Sequence, residues 1–382
     1  MKKEDAVYWI ALAHLSKWSN KNINNLIIKF FHENKISIED FFHLDEDVWR
    51  REYQLDEKQV FDLKHAKSNL PNIAFLAESF FSQGYEIIPI ISPEYSKKLK
   101  INLKVAHSPA VLYIKGDKNI LNENSVAIVG SRNASEIALK FTDNIAKLAT
   151  KEFKVIVSGF AKGVDRQALE SAIKYNGKSI IVLPQGLMTF TGYKNYYKQI
   201  INGDVLVLST FHPKAIWRVE LAMARNPIIY GLSDEIYIAE SSEKGGTWSG
   251  AIDGLRKGRI IFVRKPEPNE KNANNLLIEK GGIPVSLTGD QISIKYELKI
   301  FEQENIIKEP NVYESLEIKI RESLKNKPLT VKEIKEKLNL NWSTRKLSNF
   351  LKKLDFIEII KEKKKNFYKI KGTKDIIQPT LF

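Results

Sequence analysis

Ser125-Val126-Ala127-Ile128-Val129-Gly130-Ser131-Arg132-Asn133-Ala134-Ser135 decides how this chain is read. Five residues of strand character run into a glycine. A polar turn follows, and over 137–150 the apolar residues take helical spacing. Strand, glycine turn and helix in direct succession open a βα unit. The succession recurs. Strands are predicted over Ser125–Val129, 154–157, 179–183, 204–208, 235–239 and 259–263, and helices over 137–150, 166–174, 193–202, 218–224 and 249–257. The strand runs show little alternation, as strands covered on both faces do. This is the pattern of a doubly covered parallel sheet.

Working outward, the sequence divides into five parts. Residues 1–85 read as short helices, with Ser37 as a helix cap, and form a helical N-terminal domain. Residues 86–295 form the Rossmann-like parallel sheet core of an α/β protein. A charged linker covers 296–312. Residues 313–372 read helix, helix, helix, hairpin, the order of a winged helix. Within them Thr330 and Glu333 form a capping box. Arg345, Lys346, Lys352 and Lys353 mark the third helix, and Lys361, Lys363, Lys364 and Lys365 mark the wing tip. A flexible tail covers 373–382.

Composition excludes several function classes. The 382 residues contain no cysteine, so disulfide frameworks, thiolate metal sites and cysteine nucleophiles are ruled out. Six scattered histidines argue against a histidine-rich metal site. No apolar run reaches the roughly 20 residues of a membrane span. Glu4 and Asp5 stand where a signal peptide needs positive charge, so a soluble cytoplasmic protein is expected. The net charge is +14, but 49 of the 60 basic residues are Lys, and residues 313–382 alone contribute +9. Seven of the eleven Arg residues fall instead between 132 and 264. A planar guanidinium suits phosphate or carboxylate, so these Arg positions are more informative than the total.

In an open parallel sheet, ligands bind beyond the carboxyl ends of the strands. The loops there are glycine-rich. After the first predicted strand, Gly130 permits a tight turn, Ser131 and Ser135 offer hydroxyls, and Arg132 offers a fork at a helix start. The dinucleotide fingerprint G-x-G-x-x-G is absent. After the second strand, Ser158-Gly159-Phe160-Ala161-Lys162-Gly163-Val164-Asp165 places a Lys between two glycines, with Asp165 as a helix cap. After the fifth strand, Gly245-Gly246-Thr247 again leads into a helix. Two such loops on adjacent strands point to a polyanion lying across the sheet edge rather than a single mononucleotide.

The ordered motifs Gly130-Ser131-Arg132, Ser158-Gly159-x-Ala161-x-Gly163-Val164-Asp165 and Arg225-Asn226-x-Ile228-Ile229-x-Gly231-Leu232-Ser233 resemble the DprA/Smf family of bacterial DNA-processing proteins. Ser108-Pro109-Ala110-Val111-Leu112-Tyr113-x-x-Gly116 is similar to the family's approach to the first strand. The resemblance implies a protein without catalysis or cofactor that binds single-stranded DNA, forms a homodimer and passes the strand to a RecA-type recombinase. It implies a DNA pocket at Gly130, Ser131, Arg132, Ser158, Gly159, Lys162 and Gly163, with Arg225 and Asn226 near the rim. Gly246, Thr247 and Ser135 complete the candidate phosphate-binding set. The chain departs from the family where Pro227 replaces the second Arg of Arg-Asn-Arg, and where Leu183-Pro184-Gln185-Gly186-Leu187 replaces a Gly-rich turn. It is identified as a divergent member.

The terminal Gln378-Pro379-Thr380-Leu381-Phe382 matches the Gln-x-x-Leu-Phe pattern by which bacterial proteins dock on the replication sliding clamp. Two further readings remain open. One is a nucleotide-processing enzyme of the phosphoribohydrolase type, with Glu220 or Glu240 as acid or base. The other is a winged-helix DNA-binding regulator whose Rossmann-like domain senses a ligand.

Overall fold

The structure, a computed structural model, describes residues 4–292 and 319–371, apart from 326, 339, 341, 353, 355, 363 and 364. The chain divides into two units, Met1–Tyr296 and Glu297–Phe382, each described by itself.

The first unit opens with six helices: α1 Asp5–Ala13, α2 Asn20–Ile27, α3 Ile38–His43, α4 Glu46–Arg51, α5 Glu57–Ser68 and α6 Leu70–Ser82. Ser37 caps α3 in a capping box with Asp40. Strand β1 (Glu86–Pro89), helix α7 (Lys97–Leu103) and strand β2 (Val111–Lys115) follow. The repeating part then supplies β3 Ser125–Val129, α8 Glu136–Lys151, β4 Val155–Ser158, α9 Val164–Lys174, β5 Ser179–Val182, α10 Tyr193–Ile201 and β6 Val205–Ser209. It continues with α11 Val219–Leu232, β7 Glu235–Ile238, α12 Gly246–Arg256, β8 Ile261–Arg264, α13 Asn274–Glu279 and β9 Ile283–Val285.

All nine strands join one sheet in the order β1-β2-β6-β5-β4-β3-β7-β8-β9. From β6 to β9 every neighbouring pair is parallel. The β1–β2 and β2–β6 pairs are antiparallel. Strands β1, β2 and β9 are additions to the six predicted ones.

The apolar runs conceal a period of two. Ala127 and Val129 of β3 pack into one core with Ile228, Ile229 and Leu232 of α11. Val126 and Ile128 pack into a second core with Phe141 and Ile145 of α8 and Ala168 and Ala172 of α9. Both faces of the strand are covered, so no polar alternation survives in the sequence. Helix α11 exceeds its predicted end at 224 and runs through Pro227 to Leu232. A proline inside a helix costs about 3 kcal/mol, and here the burial of Ile228, Ile229 and Leu232 opposes that cost.

The N-terminal helices do not keep a core of their own. Trp9, Ile10, Phe30, Phe41 and Trp49 belong to the apolar cluster that contains Leu112 and Tyr113 of β2. Phe80 of α6 meets Tyr113 edge-on at 5.6 Å between ring centroids. His14 Nε2 lies 2.8 Å from Tyr113 Oη, and the His14 ring lies edge-on to His212 at 5.3 Å.

In the second unit, the helices Val331–Lys337 and Thr344–Leu351 precede strands β11 (Ile357–Glu362) and β12 (Lys365–Ile370), which pair antiparallel. Strand β10 (Leu329–Thr330) pairs with β12 as a third strand, outside the sequence reading. Thr330 caps the first of these helices in a capping box with Glu333. The linker, Lys353, Lys363, Lys364 and the tail with Gln378, Leu381 and Phe382 lie outside the described residues, as do the side chains of Lys346, Lys361 and Lys365. Among the described residues, no helix is long and apolar enough to cross a membrane.

His14 supplies a test of the shared core. Burial pushes its pKa down to about 3, with His212 adding to the effect. It is therefore neutral when folded but protonates on unfolding below its ordinary value of about 6.5. Its contribution is complete above that value and is lost as pH falls toward 3. Within that window, urea melts are expected to show stability falling more steeply in wild type than in His14→Gln. The excess slope should approach about 1.4 kcal/mol per pH unit.

Candidate functional site

Strand order reverses at β3. The strands β4, β5 and β6 lie on one side of it, and β7, β8 and β9 on the other. The helices that follow β3 and β7 therefore pack on opposite faces, opening a crevice at the carboxyl ends of the strands. A cleft of about 350 Å³ occupies that position. Gly130, Ser131 and Arg132 form one wall, Lys244, Gly245, Gly246 and Thr247 another, and Arg225 and Asn226 of α11 contribute as well. A second cavity of about 270 Å³ continues past β4 toward β5, lined by Phe160, Lys162, Phe190 and Trp217. Arg132, Ala161, Ala222 and Arg225 border both.

The base of the cleft is a buried charge pair. Asp165 is 7% exposed and Arg225 is 5% exposed, and their side chains approach to 3.8 Å. Arg225 Nη1 donates to the Val182 carbonyl of β5 at 2.8 Å. Burial pushes the Asp165 pKa up and the Arg225 pKa down, and each charge opposes the shift of the other. Gly159 makes room for the pair. A Cβ there would stand 1.9 Å from Arg225 Nη1 and 2.3 Å from Asp165 Oδ2. Asp165 is thus the second residue of α9, whose cap is Gly163, and not the cap expected from sequence. Arg225 lies at the floor rather than the rim.

Three helices start at the cleft, and they differ in what meets their free N–H groups. Helix α8 is capped by Ser135, whose backbone N and Oγ both donate to Glu240 Oε2. Two N–H groups of the loop before it are also used. Ser131 N donates to the Glu240 carbonyl, and Asn133 N donates to Ser131 Oγ. At α9, Val164 N donates to the Ser131 carbonyl, and Asp165 stands in the first turn. At α12 no side chain caps the first turn, and Gly245, Gly246 and Thr247 line the cleft. No side chain caps α9 either, but Asp165 stands in its first turn, so the helix start at the cleft with neither a side-chain cap nor an acid of its own is that of α12.

Side-chain charge has the same sign. Arg132, Lys162 and Lys244 are exposed and, among the described residues, form no ion pair or side-chain hydrogen bond. Asp165 is the acid lining the cleft, and it is held by Arg225.

The structure gathers Gly130, Ser131, Arg132, Arg225, Asn226, Gly246 and Thr247 around one cleft and Lys162 around its extension. Ser135, Ser158, Gly159 and Gly163 line neither cavity. Ser158 is buried and donates to the Ile128 carbonyl at 2.7 Å. A Cβ on Gly163 would meet the Ser131 carbonyl at 2.3 Å, so this glycine joins two loops. Lys244 and Trp217 are lining residues that the sequence reading did not select. Lys244 precedes the glycines after β7 and was accessible from the switch-point rule. Trp217 carried no signal of its own.

Removing one charge of the buried pair should strand the other. Asp165→Ala is expected to cost about 3 to 5 kcal/mol in denaturant melts. Asp165→Ala with Arg225→Met should recover part of that loss. Equal losses in the single and double variants would show that the cost does not come from an unpaired arginine.

A profile of the family described as DNA recombination-mediator protein A matches residues 86–297. DNA processing protein DprA of Bacillus subtilis is 29% identical over 198 residues, which cover 50% of this chain and 65% of that protein. DNA processing protein DprA of Streptococcus pneumoniae is 34% identical over 161 residues, covering 42% of this chain and 57% of that protein. The chain thus matches less than two thirds of the length of either relative. The X-ray structure of DprA from Streptococcus pneumoniae superposes with a TM-score of 0.60 at 25% identity, covering 74% of this chain and 94% of that one. The matched region contains the sheet, the buried pair and the cleft, and it exceeds half of the chain: this protein belongs to the DNA recombination-mediator protein A family.

Proposed function

We propose that this protein binds single-stranded DNA across the carboxyl edge of its parallel sheet and acts in DNA processing during recombination, without catalysis and without a cofactor. The observation that carries the reading is the unpaired Arg132, Lys162 and Lys244 around one cleft and its extension, beside the uncapped start of α12. Phosphates of a strand would meet these cations and N–H groups with no regard to base sequence. A double cavity bordered by Arg132 and Arg225 suits several nucleotides better than one. Family membership supports the same substrate class. In the Gly130–Ser135 loop the N–H groups of Ser131, Asn133 and Ser135 are already bonded, which shifts the expected phosphate contacts from these groups toward side chains.

Binding is favoured over the enzymatic reading by the state of the acids. Glu240 is committed to Ser135, and Asp165 is paired with Arg225. Glu220 does not line either cavity.

The remaining parts of the proposal follow the family resemblance. The protein would act in the cytoplasm as a homodimer and deliver the strand to a RecA-type recombinase. Residues 313–372 would form a winged helix, supported by the helical residues 319–323, the helices Val331–Lys337 and Thr344–Leu351 and the three-stranded sheet among the described residues of the second unit. The tail residues Gln378, Leu381 and Phe382 would engage the sliding clamp.

Arg132→Ala tests the site. Fluorescence anisotropy with a labelled oligonucleotide is expected to show weaker binding and a log Kd against log salt slope shallower by about 0.7 for each phosphate that is no longer neutralised. Unchanged affinity and slope would place the strand elsewhere.

A further inference from the structure

The loop after β3 has the composition of a phosphate cradle, yet a carboxylate already stands at the helix start. Glu240 stands two residues past the end of β7, and the parallel pairing of β7 with β3 brings it beside the start of α8. Its Oε2 accepts from Ser135 Oγ at 2.5 Å and from Ser135 N at 3.2 Å. Its backbone carbonyl accepts from Ser131 N at 2.9 Å. Thr247, two residues past Gly245, donates its hydroxyl to the Gly130 carbonyl at 3.1 Å. The Glu240–Thr247 loop is thereby bound to the Gly130–Ser135 loop at both ends. The carboxylate cannot drift far from the cleft wall without breaking these bonds.

We propose that Glu240 is a specificity-determining residue that acts as a built-in competitor of phosphate. It takes the backbone N–H and hydroxyl of Ser135, the α8 cap residue, with the protein's own anion, so a bound strand gains no phosphate contact from either. It also places a negative charge beside the path of the backbone. The strand is consequently displaced toward Arg132, Lys162, Lys244 and the start of α12. The physical result is moderated affinity. A cleft with three free cations and two open helix ends would hold a polyanion more tightly and release it more slowly. Repulsion between Glu240 and the nearest phosphate offsets part of that attraction. This inference rests on the single-strand reading above.

The test compares wild type, Glu240→Gln, Ser135→Ala and Arg132→Ala in anisotropy titrations with a labelled oligothymidylate at several salt concentrations. Glutamine keeps the shape and can still accept from Ser135, but it carries no charge. Glu240→Gln is expected to bind about three- to tenfold more tightly, with a salt slope steeper by up to about 0.7 as one more phosphate is engaged. Ser135→Ala removes a cap while leaving the charge, and it should not tighten binding. Thermal melts of each variant identify any that fail to fold. Should Glu240→Gln be folded and bind no more tightly than wild type, the inference is overturned. Tightening by Ser135→Ala equal to that of Glu240→Gln would also overturn it, because the cap and not the charge would then be responsible. Failure of the underlying reading looks different: wild type itself would not bind, or Arg132→Ala would leave binding unchanged.

Discussion

The cleft rests on one buried ion pair. Asp165 comes from α9 and Arg225 from α11, helices that pack against opposite faces of the sheet. Their meeting at the sheet edge, with Arg225 also bonded to Val182 of β5, ties both layers and a third strand to one point. Such a pair is costly to desolvate, and its Coulomb energy repays that cost only with good geometry and further hydrogen bonds. Arg225 Nε is left without a partner, so the pair is not an obvious gain in stability. It does set the position of the Ser158–Gly163 loop. Gly159 lies against both charges, so any larger residue would push the loop outward.

With this pair fixed, the surrounding charge acquires a direction. Asp165, the acid that lines the cleft, is paired with Arg225, and Glu240, beside the start of α8, accepts from Ser135. The cations around it project free into solvent. The cleft therefore presents free positive side chains and the uncapped α12, while Asp165 and Glu240 are engaged with protein donors. The potential at the cleft depends on which donors the protein has already used, and composition does not report that.

Much of the fold was legible because helix and strand signals are local. All six core strands were found from apolar runs, with boundaries within two residues at each start. Ser37 and Thr330 announced their helices through hydroxyl and acid at fixed spacing. Strand β1 at the sheet edge and β2 beside it were missed because their antiparallel pairing lies outside the βα repeat. Helix α11 was cut short because proline is a strong local stop, and only burial of the residues beyond it lets the helix continue. The site was half legible. Glycines and Arg132 pointed to loops that the structure brings around one cleft, whereas Ser135 and Ser158 look like ligands in sequence and are bonded to protein in space.

By itself the sequence determined the class of fold, the loops that matter and the family resemblance, because these rest on periodicity and ordered motifs along the chain. Tertiary structure decided which donors remain free. Glu240 lies 105 residues from Ser135, and Arg225 lies 60 residues from Asp165. Such distant groups meet only when parallel strands align their carboxyl ends. Whether a hydroxyl, carboxylate or guanidinium is available to a ligand depends on that meeting.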